Sequence, residues 1–143
     1  MKKLIAVSNH SPENWSYEQS KGWDEIVYIP FPNVDASLDV ESVSDMAEEV
    51  MGEINSNIVC YKEDVFVCIQ GESTLCDMVK IGLINKTIPM AIPTTERVVK
   101  ETVMLDGSTR KTSEFRFIRW RLYTMYVNDG NRAYVSYIDR SIV

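Results

Sequence analysis

Three short segments of the sequence combine hydroxyls, amides and isolated charges in the way phosphate-binding loops do: Ser8-Asn9-His10-Ser11, Gln70-Gly71-Glu72-Ser73-Thr74 and Thr94-Thr95-Glu96-Arg97. Each follows a short apolar run, so each is expected at the carboxyl end of a strand, where open α/β sheets gather their ligands. A glycine and then hydroxyl residues, placed where a helical pattern begins, would aim backbone N–H groups out of the strand end toward an anion. Each segment also has a plain structural reading: Ser11, Ser73 and Thr74 are ordinary helix caps, and Glu96 with Arg97 makes a surface pair. The coincidence of three carries more weight than any one.

A fourth segment, residues 115 to 123, interleaves arginines with aromatic rings in the order Phe115-Arg116-Phe117-Ile118-Arg119-Trp120-Arg121-Leu122-Tyr123. Single-stranded nucleotides are gripped by this combination, the cation taking the phosphate and the ring the base. Subunit interfaces favour the same residues. Strict alternation would put Phe115, Phe117, Arg119, Arg121 and Tyr123 on one side of a strand, and Arg116, Ile118, Trp120 and Leu122 on the other.

Other chemistries find little footing. There is no glycine-rich dinucleotide fingerprint, no phosphate loop ending in Gly-Lys-Ser or Gly-Lys-Thr, and no pair of acids or histidines spaced for a metal. No cofactor is therefore expected, and nicotinamide, ATP and zinc chemistry are disfavoured. His10 is the only histidine and no nucleophile elbow accompanies it, which counts against a serine triad. Cys60, Cys68 and Cys76 lie eight apart, match no zinc spacing and read as reduced thiols in or near the core.

The elements that position these segments follow from hydrophobic period. Leu4-Ile5-Ala6-Val7, Ile26-Val27-Tyr28-Ile29 and Val65-Phe66-Val67-Cys68-Ile69 are unbroken apolar runs too short for helices, hence buried strands, with the third as the centre of a parallel sheet. Ser11 as cap and Pro12 at the first helical position predict a helix through Trp15, Tyr17 and Gln19 to Gly22. Pro30-Phe31-Pro32-Asn33 is an extended loop. Asp39 caps an amphipathic helix carrying Val43, Met46, Ala47, Val50 and Ile54 at helical spacing, and a second helix is expected from about Ser73 to about Asn85. Ile88 to Ile92 reads as a fourth short strand closed by Pro93, with Thr94-Thr95-Glu96-Arg97 as the loop beyond it. A hairpin over 98 to 105 and 112 to 123, turning at Asp106-Gly107, follows. A further hairpin, turning at Asn128-Asp129-Gly130-Asn131, is expected to end the chain, with a place across a dimer in view.

The fold class is therefore α/β: a small Rossmann-like parallel sheet flanked by helices, followed by a C-terminal antiparallel hairpin, in a single domain. Residues 1–93 form the core, 94–123 the hairpin and 124–143 an extra hairpin or dimer arm. The 143 residues, 45% hydrophobic and 25% charged, fit one globular unit. No apolar run approaches the roughly 20 residues that span a bilayer and no signal peptide is apparent, which points to a cytoplasmic protein without a membrane partner. A net charge of −6 argues against general binding of duplex nucleic acid. The charge is uneven: six basic against sixteen acidic residues up to Glu96 give −10, and nine against five from Arg97 onward give +4. A small anionic ligand would suit that basic tail end.

The polar segments and the arginine hairpin together resemble a known family. Ser8-Asn9-His10 followed by Glu13-Asn14-Trp15-Ser16 and Gln19, then Pro30-Phe31-Pro32-Asn33-Val34-Asp35, Gly71-Glu72-Ser73-Thr74-Leu75, Thr94-Thr95-Glu96-Arg97-Val98-Val99 and Phe115-Arg116-Phe117-Ile118-Arg119 are similar to the small type III CRISPR accessory proteins of the Csx-fifteen family, with the Csx-twenty family as a near sister. The resemblance runs from residue 4 to about 123. Residues 124–143 extend beyond it, and Gln70 stands where the resemblance leads one to expect a methionine or a similar residue. It implies a shortened CRISPR-associated Rossmann (CARF-like) fold in a homodimer that binds cyclic oligoadenylate, the second messenger of type III CRISPR systems. Relatives lower that signal as ring nucleases or by holding the ligand stoichiometrically.

By the same resemblance, the ligand-binding residues would be Ser8, Asn9, His10, Ser11, Gly71, Glu72, Ser73, Thr74, Thr94, Thr95, Glu96, Arg97, Arg116 and Arg119. A two-fold dimer presents each loop twice, which matches a ring of four identical nucleotides and favours cyclic tetra-adenylate. Cleavage would need no metal, since the ribose 2′-OH can attack its own 3′-phosphate, with His10 as general acid or base. Sequestration, turnover as a true ring nuclease, a sensor subunit and a single-stranded RNA-binding module all remain open on these residues.

Overall fold

The computed structural model describes residues 1–59 and 64–138; Cys60 lies outside them. The apolar runs form strands as their composition requires: β1 (Lys2–Ser8), β2 (Glu25–Pro30) and β3 (Asp64–Ile69). Both β2 and β3 pair with β1 in parallel, with Ala6 opposite Tyr28 on one side and Cys68 on the other. The sheet is six-stranded in the order β2-β1-β3-β4-β5-β6, its antiparallel part formed by β4 (Met90–Val103), β5 (Thr109–Val127) and β6 (Ala133–Tyr137). This is a small Rossmann-like α/β fold with C-terminal antiparallel strands. The chain leaves β1 toward β2 and returns to β3 on the far side, so strand order reverses between the carboxyl ends of β1 and β3.

Two helices cover one face. In the first, over Val40–Ser56, the buried residues Val43, Ala47, Val50 and Ile54 recur at helical spacing, and the Asp39 carboxylate accepts from the Ser42 N–H at 2.8 Å. The second, over Ser73–Asn85, buries Leu75, Cys76, Val79 and Leu83. Their shared core includes Ile5, Val7, Val67, Ile69 and Met90 from the sheet, each such side chain contributing roughly 1.5–3 kcal/mol of burial. A Cβ on Gly82 would lie 2.8 Å from Met51 Cγ, so the missing side chain lets the helices approach. Among the described residues, no helix is long and apolar enough to cross a membrane.

The opposite face is covered differently from the sequence expectation. Instead of one helix to Gly22, a single 3-10 turn (Pro12–Asn14) and a four-residue helix (Tyr17–Ser20) are separated at Trp15 and Ser16. Ser11 makes no side-chain cap bond, whereas Ser16 is extended and its hydroxyl accepts from the Gln19 N–H, restarting the helix there. The break sends the Trp15 ring onto Trp120, with centroids 5.6 Å apart.

The second departure is at Pro93. The strand does not end there but runs on to Val103, so Thr94-Thr95-Glu96-Arg97 is strand rather than loop. Proline is tolerated because β3 pairs with β4 only at Val67 and Met90, leaving Pro93 facing β5 alone, where it lies opposite Trp120. Past Met90 the β4–β5 hairpin therefore projects beyond the carboxyl ends of the parallel strands, closing at Gly107 with φ of +85°. The last hairpin also forms, but its first strand is the end of β5, where Met125 pairs with Val135.

A bulge corrects the expected faces of β5. Thr94 pairs with Arg119 but Thr95 pairs with Phe117, which leaves Ile118 as an extra residue. Strict alternation is broken there, and Phe117 comes onto the same side as Trp120, their rings 5.8 Å apart. The expectation that they lie on opposite sides is overturned by that one inserted residue.

Candidate functional site

The reversal of strand order builds the first part of the site. Ser8 ends β1 fully buried, and its position is fixed from three directions. Its carbonyl accepts from the Tyr28 hydroxyl and from the Phe31 N–H, both at 3.0 Å, and its Oγ accepts from the His10 N–H at 3.1 Å. Ser8 is thus a brace, and Asn9 and His10 are the exposed residues of this corner. Next to it, the Gln70 N–H donates to the Val7 carbonyl at 2.9 Å, tying the end of β3 to β1. A Cβ on Gly71 would meet three ring atoms of Phe31 at 2.5 Å, so the glycine is required by a buried aromatic ring packed against the backbone. Ser8, Asn9, His10, Gln70 and Gly71 line a cleft of about 230 Å³ at this switch point.

A larger cavity of about 740 Å³ adjoins it, sharing His10 and Gln70. Asn14, Trp15, Ser16, Glu18 and Gln19 form one wall, and Pro93, Thr95 and Glu114 to Phe117 of the projecting hairpin form the other. Behind both walls stands Trp120, 3% exposed, whose Nε1–H donates to the Gln19 carbonyl at 2.8 Å. Trp15, Phe117 and Trp23 all pack on Trp120, the last edge-on at 5.4 Å. The rim is therefore held by a rigid aromatic cluster rather than by loop contacts.

Charge in this cavity is largely compensated. Glu18 pairs with Lys21, a hydrogen bond that raises the lysine above its ordinary pKa, and Glu114 pairs with Lys100 at 3.5 Å. Arg116 has Glu96 opposite it in register but forms no ion pair among the described residues. Arg116 alternates with Phe115 and Phe117 along β5 and shares its strand face with Glu96, so it borders the cavity from the other face of the hairpin.

The helix that follows β3 behaves differently from expectation. Its cap is Glu72, not Ser73 or Thr74: the carboxylate accepts from the Thr74 N–H at 3.0 Å and the Leu75 N–H at 2.9 Å. These backbone bonds, Leu75 first and then Thr74, hold the Glu72 carboxyl below its ordinary pKa. Two of the amides expected to meet a phosphate are thus occupied by the protein's own anion. Glu72 and Thr74 open instead toward a separate cavity bordered by residues 34 to 43.

Of the residues singled out in the sequence, the structure brings Ser8, Asn9, His10, Gly71, Thr95 and Arg116 to the two adjoining cavities. Ser11 and Ser73 do not line them, and Thr94 donates to the Arg119 carbonyl at 3.0 Å. Glu96 and Arg97 lie farther along the hairpin, with Arg97 Nη2 donating to Ser113 Oγ at 3.5 Å. Arg119 turns its Nε–H onto the Trp120 carbonyl at 3.4 Å. Gln70 belonged to the second polar segment, and Asn14, Trp15 and Gln19 to the motifs of the resemblance, but none of the four was assigned a ligand-binding role from the sequence. No sequence pattern signals that Trp15 meets Trp120, since the contact joins residues far apart in the chain.

Among the cysteines, burial and then the nearby Cys76 push the Cys68 thiol up to about 12, and burial also raises Cys76, so neither is poised as a nucleophile. Among the described residues, no group of three or more His, Cys, Asp or Glu side chains is placed to hold a metal ion.

Comparison with known proteins places the chain in a family. Residues 2–121 match the profile of a family described as the uncharacterized protein MJ1673 family, and the chain belongs to it. No curated protein and no solved structure matches the chain.

Proposed function

We propose that this member of the MJ1673 family binds cyclic oligoadenylate, with cyclic tetra-adenylate the preferred ring, across a two-fold homodimer in the cytoplasm. It removes the ring from solution by holding it, with slow metal-independent cleavage as a companion activity. The observation that carries this reading is the meeting of His10, Thr95 and Arg116 around one cavity continuous with the switch-point cleft. A dimer would double that cavity and the residues that border it, matching a ligand with repeated phosphates and bases. The resemblance to the Csx-fifteen family supplies the ligand class.

Chemically, cleavage asks little of the protein. The ribose 2′-oxygen attacks the adjacent 3′-phosphorus, the bond to the 5′-oxygen breaks, and a linear product with a 2′,3′-cyclic phosphate results. A base takes the 2′-OH proton and an acid returns one to the leaving oxygen. His10, exposed and lining both cavities, would make one of these transfers. Arg116 would stabilise charge on the phosphate.

The test is to mix the protein in excess with labelled cyclic tetra-adenylate without metal, then run native gels and product chromatography. A shifted, intact ring is the expected main result. Linear products with a 2′,3′-cyclic end assign a ring nuclease, and His10→Ala then abolishes cutting while retaining binding. Free, intact ring refutes the proposal. Equal affinity for linear oligoadenylate, with a steep salt slope, would assign a single-stranded RNA-binding module instead.

A further inference from the structure

The larger cavity has a feature that anion binding does not account for. Phe115 is 70% exposed on its wall, an unusual setting for a phenylalanine in a strand. It shares that wall with Phe117, and Trp15 faces in from the other side, both of the latter rings resting on buried Trp120. The same cavity is lined by two exposed planar amides, Asn14 and Gln70. Aromatic faces stack bases of any kind, whereas a side-chain amide, presenting one donor and one acceptor in a plane, matches the N6 and N7 edge of adenine.

We infer that this cavity is an adenine subsite, in which Trp15, Phe115 and Phe117 stack the base and Asn14 or Gln70 reads its edge. The inference rests on the reading of the adjoining cleft as the phosphate end, and adds to it the residues that fix base identity. Trp120 is the positioning residue: it touches no base, but holds Trp15 and Phe117 at the rim. The Trp120 backing puts Trp15 and Phe117 in place before the ligand arrives, so little ordering entropy opposes stacking on them.

Adenosine and uridine 5′-monophosphates, titrated against tryptophan emission, isolate the subsite from the ring. The adenine nucleotide should quench and bind at least tenfold more tightly than the uracil one. Phe115→Leu, at a solvent-exposed position that folding tolerates, should weaken adenine nucleotide and cyclic tetra-adenylate by about tenfold, as loss of one stacking face does. Gln70→Leu, whose backbone bond to Val7 is untouched, or Asn14→Leu should reduce the preference for adenine over uracil. If the mononucleotides bind equally, or neither Gln70→Leu nor Asn14→Leu changes base preference, the subsite is refuted even where the ring binds. If adenine nucleotide binds selectively and the ring does not, the subsite stands and the cyclic-ligand reading falls. A Phe115→Leu variant altered only in sedimentation would show the exposed ring to be a subunit contact, which also overturns the inference.

Discussion

Replacing Trp120 by leucine tests whether the aromatic cluster behind the cavity is one unit. The side chain is 3% exposed, packs on Trp15, Trp23 and Phe117, and holds the Gln19 carbonyl through a 2.8 Å hydrogen bond. Leucine would leave roughly 80 Å² less apolar surface buried, about 2 kcal/mol at the usual coefficient. The lost hydrogen bond adds about 1 kcal/mol. The expected destabilisation is therefore about 3 kcal/mol, read as a drop in the urea midpoint of about 1 to 2 M at an ordinary slope. Trp120→Phe keeps a ring against its neighbours but not the N–H, and should lose about half as much. Because Trp15 and Phe117 lean on Trp120, adenine nucleotide affinity should fall under conditions where the leucine variant is still folded. Two variants within 0.5 kcal/mol of the parent, with nucleotide affinity intact, would refute the reasoning that the cluster is both core and rim.

Gly71→Ala should cost roughly 1–3 kcal/mol in chemical denaturation, because its Cβ would meet the Phe31 ring at 2.5 Å, and Phe31→Leu in the same chain should recover part of the loss. Glu72→Gln addresses the capped helix. The folded carboxyl titrates below its unfolded value, so its stabilisation is fully present above about pH 4.3 and is lost as pH falls through the folded value. The wild-type advantage in thermal melting should thus be present at neutral pH and shrink in acid; an advantage that grows in acid would contradict the cap. Cys68, buried and raised to about 12, should remain unalkylated by iodoacetamide at pH 8 in the folded protein and react once unfolded, as peptide mass spectrometry would show.

Much of the framework was legible because burial on both faces leaves an unmistakable pattern. The runs at Leu4 to Val7 and Val65 to Ile69 had no other reading, and the Asp39 cap with Val43, Ala47, Val50 and Ile54 behind it set the long helix. The switch-point corner followed from the same order of elements. What escaped was decided by tertiary contacts: Ser16 rather than Ser11 caps the short helix because Trp15 is drawn onto Trp120. Pro93 did not stop its strand because it sits where β3 no longer pairs. One bulged residue, Ile118, inverted the faces of the arginine hairpin, and no count at period two could register it. Glu72 took a capping role that composition would assign to Ser73 or Thr74.

The most direct measurement is an amide and indole chemical-shift map of the isotopically labelled protein, titrated with cyclic tetra-adenylate. Perturbed signals are expected to concentrate at Asn9, His10, Gln70, Gly71, Thr95 and Arg116, together with the Trp15 indole. Perturbations confined to the opposite cavity bordered by Asn55, Lys86 and Thr87, or a spectrum unchanged at saturating ligand, would contradict it.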